Sequence, residues 1–215
     1  MKYTKMPMGM WVLFVSSFRK QLTDVLGYEE NNAKTITRNA KRKYKEIIRE
    51  LPDFEKGDRF QANIVSAAML CAFILSMPRR PNEDLLSIYY AKAMMTKPMQ
   101  IFCRKSGRKK FTAKDIANMK ETALFKAADR NPYSWNMDFI EYKDGSGYEG
   151  RFTKCGICTL MKEYRLYDLT PALCRLDYTM SEAGGVTDFV RRYTLASGGP
   201  YCDCGYKKKI NKEKI

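Results

Sequence analysis

The 215-residue sequence contains no histidine. Because the Ser-His-Asp and Cys-His mechanisms need an imidazole to move a proton, its absence excludes both of them. It also excludes every metal site that depends on an imidazole ligand. A general base in this protein must therefore be a carboxylate, a lysine, a tyrosine or a thiolate.

Long apolar runs are also scarce. The longest, Ile64 to Met77, contains polar residues and is shorter than the roughly 20 residues of a membrane span, so we predict a buried helix. The apolar piece Met10 to Val15 is short, and no cleavage site of small residues follows it. We expect a cytoplasmic protein without a membrane partner. Glycine-rich phosphate loops are absent too.

Negative charge is in short supply, since 39 lysines and arginines face 24 acidic residues and give a formal net charge of +15. The partner classes to consider are nucleic acid, an anionic membrane and a small anionic substrate. Basic residues concentrate in Lys34 to Arg49, Arg104 to Lys120 and Lys207 to Lys214. No zinc-finger spacing, RNA-binding aromatic signature or helix-turn-helix accompanies them, so nucleic acid is disfavoured as a partner. A small anionic substrate is the partner we expect.

Hydrophobic periodicity predicts helices before residue 130 and a mixed region after it. Asn31 or Asn32, Asn82 and Thr112 are the predicted N-caps of three of these helices. After Asn131-Pro132 the pattern predicts the order strand-strand-helix-helix-strand-strand. We therefore predict an α+β fold in which a helical region, 1–130, packs with a C-terminal antiparallel sheet of about four strands, ββααββ, in 131–215. The two regions together are expected to form one compact domain.

Five of the seven cysteines lie in the last third of the chain. Cys155 and Cys158 form a C-x2-C pair, and Cys202 and Cys204 form a C-x-C pair. The four thiols could hold a tetrahedral zinc ion, although this spacing is not that of an established zinc site. Alternatively, several are small buried hydrophobic residues, as we expect for Cys71 and Cys103. The odd cysteine count favours reduced thiols over disulfides.

Two cysteines are placed for chemistry. Cys155 begins a predicted helix, where the helix dipole favours a thiolate, and this makes it the best-placed nucleophile. Cys174 and Asp177 lie three positions apart in another predicted helix and therefore share a face. Because a carboxylate raises the pKa of a thiol, an arginine must compensate there. Alternatively, Asp177 is an ordinary carboxylate paired with an arginine, and Asp203 stabilises a turn or forms a salt bridge.

These residues resemble the L-2-amino-thiazoline-4-carboxylic acid hydrolase family. The resemblance rests on Cys155 at a helix start and on three later motifs: P-A-L-C-x-x-D at Pro171 to Asp177, R-x-x-T-L-A-x-G-G at Arg191 to Gly199, and Cys202-Asp203 followed by Tyr206. Arg191, three residues before Thr194, fits the pattern better than Arg192. Cys204 departs from it, because an aromatic residue is expected after Cys-Asp.

The resemblance implies that water opens a small cyclic amidine, 2-amino-thiazoline-4-carboxylate, to a carbamoyl-cysteine by breaking a carbon–nitrogen bond. It implies no cofactor. The residues that it places in catalysis are Cys155, Cys174, Asp177, Cys202 and Asp203, and those that it places at the substrate are Arg191 and Thr194. Cys155 or Cys174 could attack, or Asp177 could activate water. The alternative function is a small-molecule sensor of the 4-vinyl reductase type, which binds a ligand without turning it over.

Overall fold

The computed structural model describes residues 6–55 and 57–209. Helices fill the first part of the chain: α1 (Met6–Asp24), α2 (Glu30–Glu50), α3 (Gln61–Ile74), α4 (Glu83–Met94), α5 (Lys97–Gly107) and α6 (Ala113–Ala127). Strands and shorter helices follow: β1 (Asp138–Glu141), β2 (Gly147–Phe152), α7 (Gly156–Glu163), α8 (Thr170–Cys174), α9 (Leu176–Gly184), β3 (Thr187–Val190) and β4 (Cys202–Lys208). This order confirms the predicted α+β fold. The end of the basic tail, 210–215, lies outside the described residues.

The four strands form one antiparallel sheet in the order β1-β2-β4-β3. β4 is therefore an inner strand, with Gly150 of β2 opposite Cys204 and Tyr148 opposite Tyr206. Because side chains alternate along a strand, Cys202, Cys204 and Tyr206 share one face of β4. The sheet thus presents two thiols and a phenol in a row.

The hydrophobic core centres on α3, which is apolar on all sides and packs between α2 and α7. Trp11 of α1 stacks between Tyr44 and Phe73, with ring centroids 5.5 and 5.7 Å away. Cys71 and Cys103 are buried in the helical region, as predicted. Within the described residues, no helix combines the length and the apolar character that crossing a bilayer requires.

The helices also contact the C-terminal elements directly. α4 packs on α8, α5 packs on α9, and α6 packs on β1. At the crossing of α5 and α9, a Cβ atom on Gly107 would stand 2.6 Å from the carbonyl oxygen of Gly184. Only glycine allows the two backbones to approach so closely. These contacts place the end of α5 beside the sheet.

Some local predictions are confirmed and others are wrong. Asn82 and Thr112 cap their helices, since their side chains accept hydrogen bonds from the amides of Leu85 and Asp115. Asn31 and Asn32 do not cap α2, because the extended backbone that precedes it ends at Glu29, one residue before the helix. The two asparagines therefore lie inside the first turn.

The C-terminal elements are shorter than predicted. The sequence pattern predicts one helix over Pro171 to Glu182 with Thr170 as its N-cap, but the structure divides this segment at Arg175 into α8 and α9. Thr170 makes no capping hydrogen bond, and its hydroxyl is buried without a partner. The sequence pattern also predicts a strand over Thr187 to Leu195, but β3 ends at Val190, because residues 191–201 form a loop that contains a 3-10 turn. The final hairpin therefore carries a long loop at its tip.

Candidate active site

Four thiols from three elements form a cluster, which we call the thiol group. Its members are Cys155 before α7, Cys158 within α7, Cys174 at the end of α8 and Cys202 at the start of β4. The pKa of Cys158 is raised first by Cys155, then by burial and by the charges of Cys174 and Cys202. The thiols are thus close enough for their charges to interact. Among the described residues, no group of three or more cysteines and carboxylates has the arrangement to hold a metal ion.

Cys155 is the member whose surroundings favour a thiolate. It is the N-cap residue of α7, partly buried, with extended backbone at φ −135° and ψ 115°. Its pKa is lowered by the neighbouring thiol of Cys158 and, against the opposing effect of burial, by the amides of Cys158 and Ile157 and the indole of Trp135. A thiolate at a helix start is stabilised in the same direction by the helix dipole. Cys155 is therefore the candidate nucleophile on structural grounds as well.

The loop before β1 fixes the start of α7. A Cβ atom on Gly156 would stand 1.9 Å from the carbonyl oxygen of Tyr133, so this position admits only glycine. The hydroxyl of Thr159 donates to the carbonyl oxygen of Pro132 at 2.8 Å. These contacts bring the buried Trp135 against Cys155. The alternating pattern of residues 135–142 predicts Trp135 in a strand, whereas Trp135 lies in the loop before β1, and nothing in the pattern indicates its contact with Cys155.

Arg191 joins the thiol group to a carboxylate. Its side chain is 6% exposed, and its Nη2 donates to Asp177 Oδ2 at 2.5 Å and to Cys204 Sγ at 2.8 Å. Nη1 donates to the carbonyl oxygen of Cys174 at 2.9 Å. Burial acts to lower the pKa of Arg191, but Asp177 and Cys204 outweigh it and raise that pKa. Arg191 thus supplies the compensating charge expected beside Cys174 and Asp177, whereas Arg175 pairs with acidic residues of α4.

The remaining thiols near Arg191 stay protonated at neutral pH. Burial raises the pKa of Cys204 to about 12. Burial also raises the pKa of Cys174, although the charge of Arg191 acts against it. The pKa of Cys202 is raised by burial too, while its sulfur accepts a hydrogen bond from the amide of Leu195 at 3.1 Å. Cys155 is therefore set apart from its neighbours.

Two of the predicted site residues, Thr194 and Asp203, form hydrogen bonds within or to the loop 191–201 instead of joining the thiol group. Asp203 projects from the opposite face of β4 to the thiols, and its carboxylate accepts the amides of Arg192 at 2.8 Å and Tyr193 at 2.6 Å. Thr194 accepts the amide of Ser197 at 3.0 Å and so caps the 3-10 turn. The structure brings Cys155, Cys174, Asp177, Arg191 and Cys202 together, whereas Asp203 and Thr194 shape the loop.

A lysine that the sequence did not single out lies farther along β4. Lys110, after α5, has its Nζ 3.7 Å from the ring centroid of Tyr206 and donates to the hydroxyl of Tyr148 at 3.0 Å. It belongs to a long basic run, where nothing distinguishes it from solvated lysines.

A separate surface cleft of about 360 Å³, at α1 and the start of α2, shares no lining residue with the thiol group.

The fold and the site define a class: an α+β protein with a histidine-free cluster of thiols, one carboxylate and one arginine at a helix-covered antiparallel sheet. A family model described as L-2-amino-thiazoline-4-carboxylic acid hydrolase matches residues 61–206, and the chain belongs to this family. The match runs from α3 to β4 and includes the thiol group, Asp177 and Arg191. Neither the search of curated proteins nor that of solved structures gave a match.

Proposed function

We propose that the protein opens the ring of a small cyclic amidine, such as 2-amino-thiazoline-4-carboxylate, by hydrolysis to give a carbamoyl-cysteine. Membership of the hydrolase family supports this reaction class. The observation that carries the proposal is the position of Cys155 at the N-cap of α7, where the thiol of Cys158, the amides of Cys158 and Ile157 and the indole of Trp135 lower its pKa. An enzyme without histidine needs a nucleophile that ionises without an imidazole, and Cys155 meets that need.

In the proposed reaction, the Cys155 thiolate attacks the amidine carbon and forms a carbon–sulfur bond. The bond from that carbon to the ring sulfur then breaks rather than the bond to the ring nitrogen, because a thiolate leaves more readily than an amine nitrogen, and the released sulfur takes a proton from solvent. Water then attacks the same carbon, with Asp177 taking its proton, and the enzyme thiolate is expelled to release the carbamoyl product. Arg191 holds Asp177 in place for this step. No cofactor enters the proposal, and zinc at the cysteine pairs stays a prediction, as does the cytoplasmic location.

The experiment that tests the proposal is product formation from 2-amino-thiazoline-4-carboxylate, followed by mass spectrometry. We expect Cys155→Ala to lower kcat by about 10³-fold or more, because the covalent route is lost. Cys71→Ala is the matched control, since Cys71 is fully buried in α3 and takes no part in the reaction. Activity that survives in Cys155→Ala would remove the nucleophile from the proposal, leaving water activated by Asp177 to be tested through Asp177→Asn.

A ligand-binding module without turnover is the second candidate. It is favoured by one observation, namely that most of the site is electrically neutral: the pKa values of Cys174, Cys202 and Cys204 are raised, and Arg191 is paired with Asp177. Such a site suits ligand binding as well as catalysis. A module of this kind would be stabilised thermally by the ligand, form no product, and bind equally well as the Cys155→Ala variant.

A further inference from the structure

Cys155 and Cys158 lie on the same turn at the start of α7. Cys155 is the N-cap residue, and Cys158 is the third residue of the helix. One helical turn brings Cα atoms three positions apart to about 5 Å. A disulfide usually joins Cα atoms that are roughly 4.4–6.8 Å apart. The spacing of this C-x2-C pair therefore suits a disulfide bond.

The two thiols also influence each other more strongly than any other group does. As a hydrogen-bond partner, the thiol of Cys158 lowers the pKa of Cys155, and the thiol of Cys155 raises the pKa of Cys158. Cys155 acts on Cys174 and Cys202 through its charge, an effect that does not need contact. Of the thiol group, Cys158 is therefore the member best placed to bond to Cys155.

The two cysteines differ in their access to solvent. Cys155 is partly exposed, whereas Cys158 is buried, with 9% of its surface exposed. Gly156, between them, lies directly against the carbonyl group of Tyr133, so the start of α7 is held in place. Because a thiolate is the attacking species in thiol–disulfide exchange, Cys155 has the properties of the first nucleophile and Cys158 those of the resolving thiol.

We propose that Cys155 and Cys158 are a redox modification site, where a low-molecular-weight disulfide such as glutathione disulfide oxidises the pair to a reversible internal disulfide. The Cys155 thiolate attacks one sulfur of the small disulfide, whose S–S bond breaks and releases one thiolate. Cys158 then gives its proton to solvent, and its sulfur attacks the sulfur of Cys155 and expels the second small thiolate. The protein thus loses two electrons, and the small disulfide gains them.

The internal disulfide removes the nucleophile on which the proposed reaction depends, since a sulfur held in a disulfide is not a thiolate. The bond should also be easy to reverse. Surroundings that stabilise a thiolate stabilise the reduced form of the pair and so make its disulfide easier to reduce. The disulfide itself is independent of the proposed function, whereas the loss of turnover rests on it.

The experiment incubates the reduced full-length protein with glutathione disulfide at neutral pH. Free thiols are then alkylated under denaturing conditions, and peptide mapping by mass spectrometry locates disulfides and glutathione adducts. Cys158→Ser removes the resolving thiol, and Cys155→Ser removes the attacking one. Cys71→Ala is the matched control, because Cys71 is completely buried in α3. Thermal unfolding of each reduced variant shows whether the fold is retained, and the map of the wild type is informative without any variant.

We expect the wild type to form the disulfide between Cys155 and Cys158 at least about tenfold faster than any other disulfide. Cys158→Ser should instead accumulate glutathione on Cys155, because the mixed disulfide has no resolving thiol. Cys155→Ser should form neither product, and Cys71→Ala should match the wild type. Turnover of 2-amino-thiazoline-4-carboxylate should fall in proportion to the oxidised fraction and return when dithiothreitol reduces the protein.

Three results would overturn the modification site: a disulfide from Cys155 to Cys174 or Cys202, glutathione that stays on Cys155 of the wild type, or no reaction at all. If the internal disulfide forms but the reduced wild type gives no product, the hydrolysis fails and the modification site stands. If the reduced wild type turns over the substrate but no internal disulfide forms, the hydrolysis stands and the modification site fails. If the oxidised protein keeps full turnover, the disulfide stands and Cys155 is not the nucleophile.

Discussion

The cysteines of the helical region and those of the sheet region lie in opposite surroundings. Cys71 in α3 is completely buried among apolar side chains, and burial alone raises its pKa to about 12. Cys155 lies where amides, an indole and a second thiol approach its sulfur, and its pKa is lowered despite burial. The groups that contact a thiol therefore decide, more than its burial does, whether the thiol can act as a nucleophile.

The buried cations of the two regions differ in the same way. Lys126 of α6 is fully buried, and its Nζ contacts Asp58, Asp129 Oδ2 at 2.5 Å and Ser134 Oγ at 2.6 Å. Its three donors are therefore all used within the protein. Arg191 has a single carboxylate partner, and its Nε is buried without a partner in the described part of the chain. The donors of Lys126 are thus all satisfied, whereas Arg191 keeps one donor beside the thiol group for which the described residues offer no partner.

The largest effect on stability that we predict is that of removing the buried cation Lys126. Lys126→Met should lower the free energy of unfolding by about 3–5 kcal/mol, because two carboxylates lose their buried cation. Denaturant unfolding followed by circular dichroism measures this change. The control is Lys120→Met, which removes an exposed ion pair with Glu141 and should cost at most about 1 kcal/mol.

A small effect of Lys126→Met would contradict this contrast between the two buried cations, since Lys126 would then not be needed for stability. A large effect of Lys126→Met on activity with unchanged stability would contradict the purely structural role given to Lys126. Lys126 would then act on the site through Ser134, which directly precedes Trp135 in the chain.

The next prediction concerns thiol reactivity. Iodoacetamide should alkylate Cys155 at least about tenfold faster than any other cysteine at neutral pH, because thiolates react and thiols do not. Because the pKa of Cys155 is lowered, its alkylation rate should stay high when the pH falls below about 8.5, the usual pKa of a thiol. The rate should fall only when the pH drops through the lowered pKa of Cys155. Peptide mapping by mass spectrometry identifies the labelled residue. Faster labelling of Cys174 or Cys202 would contradict the assignment.

Local features of the fold could be predicted from the sequence. The caps at Asn82 and Thr112 and the order of strands follow from residues that are neighbours in the chain. Cys155 at a helix start was also a local signal, since a C-x2-C pair places the second thiol in the first turn. The sequence favours Arg191 over Arg192 because of its spacing to Thr194, and in the structure the side chain of Arg191 is buried.

The rest depends on contacts between distant residues. Alternation along the predicted final strand already turns Asp203 away from the thiols on either side of it, but the sequence does not show that its carboxylate accepts the amides of Arg192 and Tyr193. The division of the predicted helix at Arg175 has no signal in the sequence either, and the side chain of Arg175 pairs with Glu83 and Asp84 of α4. Lys110 is one lysine in a basic run, and only the approach of α5 to the sheet places it beside Tyr206.

A smaller effect is expected from Asp203. Asp203→Ala removes the acceptor of two loop amides and should lower the free energy of unfolding by about 1–2 kcal/mol. Asp188→Ala, at an exposed position of β3, is the matched control and should have little effect. If Asp203→Asn abolishes turnover without loss of stability, Asp203 takes part in catalysis, as the family resemblance implies, and the loop role given to it here is insufficient.

The smallest effect separates two roles of Thr194. As the cap of the 3-10 turn, its hydroxyl should contribute about 0.5–1 kcal/mol, which Thr194→Ala loses and Thr194→Ser keeps. A substrate-binding hydroxyl would instead show itself as a rise in KM for 2-amino-thiazoline-4-carboxylate that is larger than the change in stability explains. Thermal unfolding and KM measured on the same three proteins decide between them. Equal KM values in Thr194→Ala and the wild type would leave Thr194 as a loop residue and confine substrate contact to the face of β4 that carries the thiols.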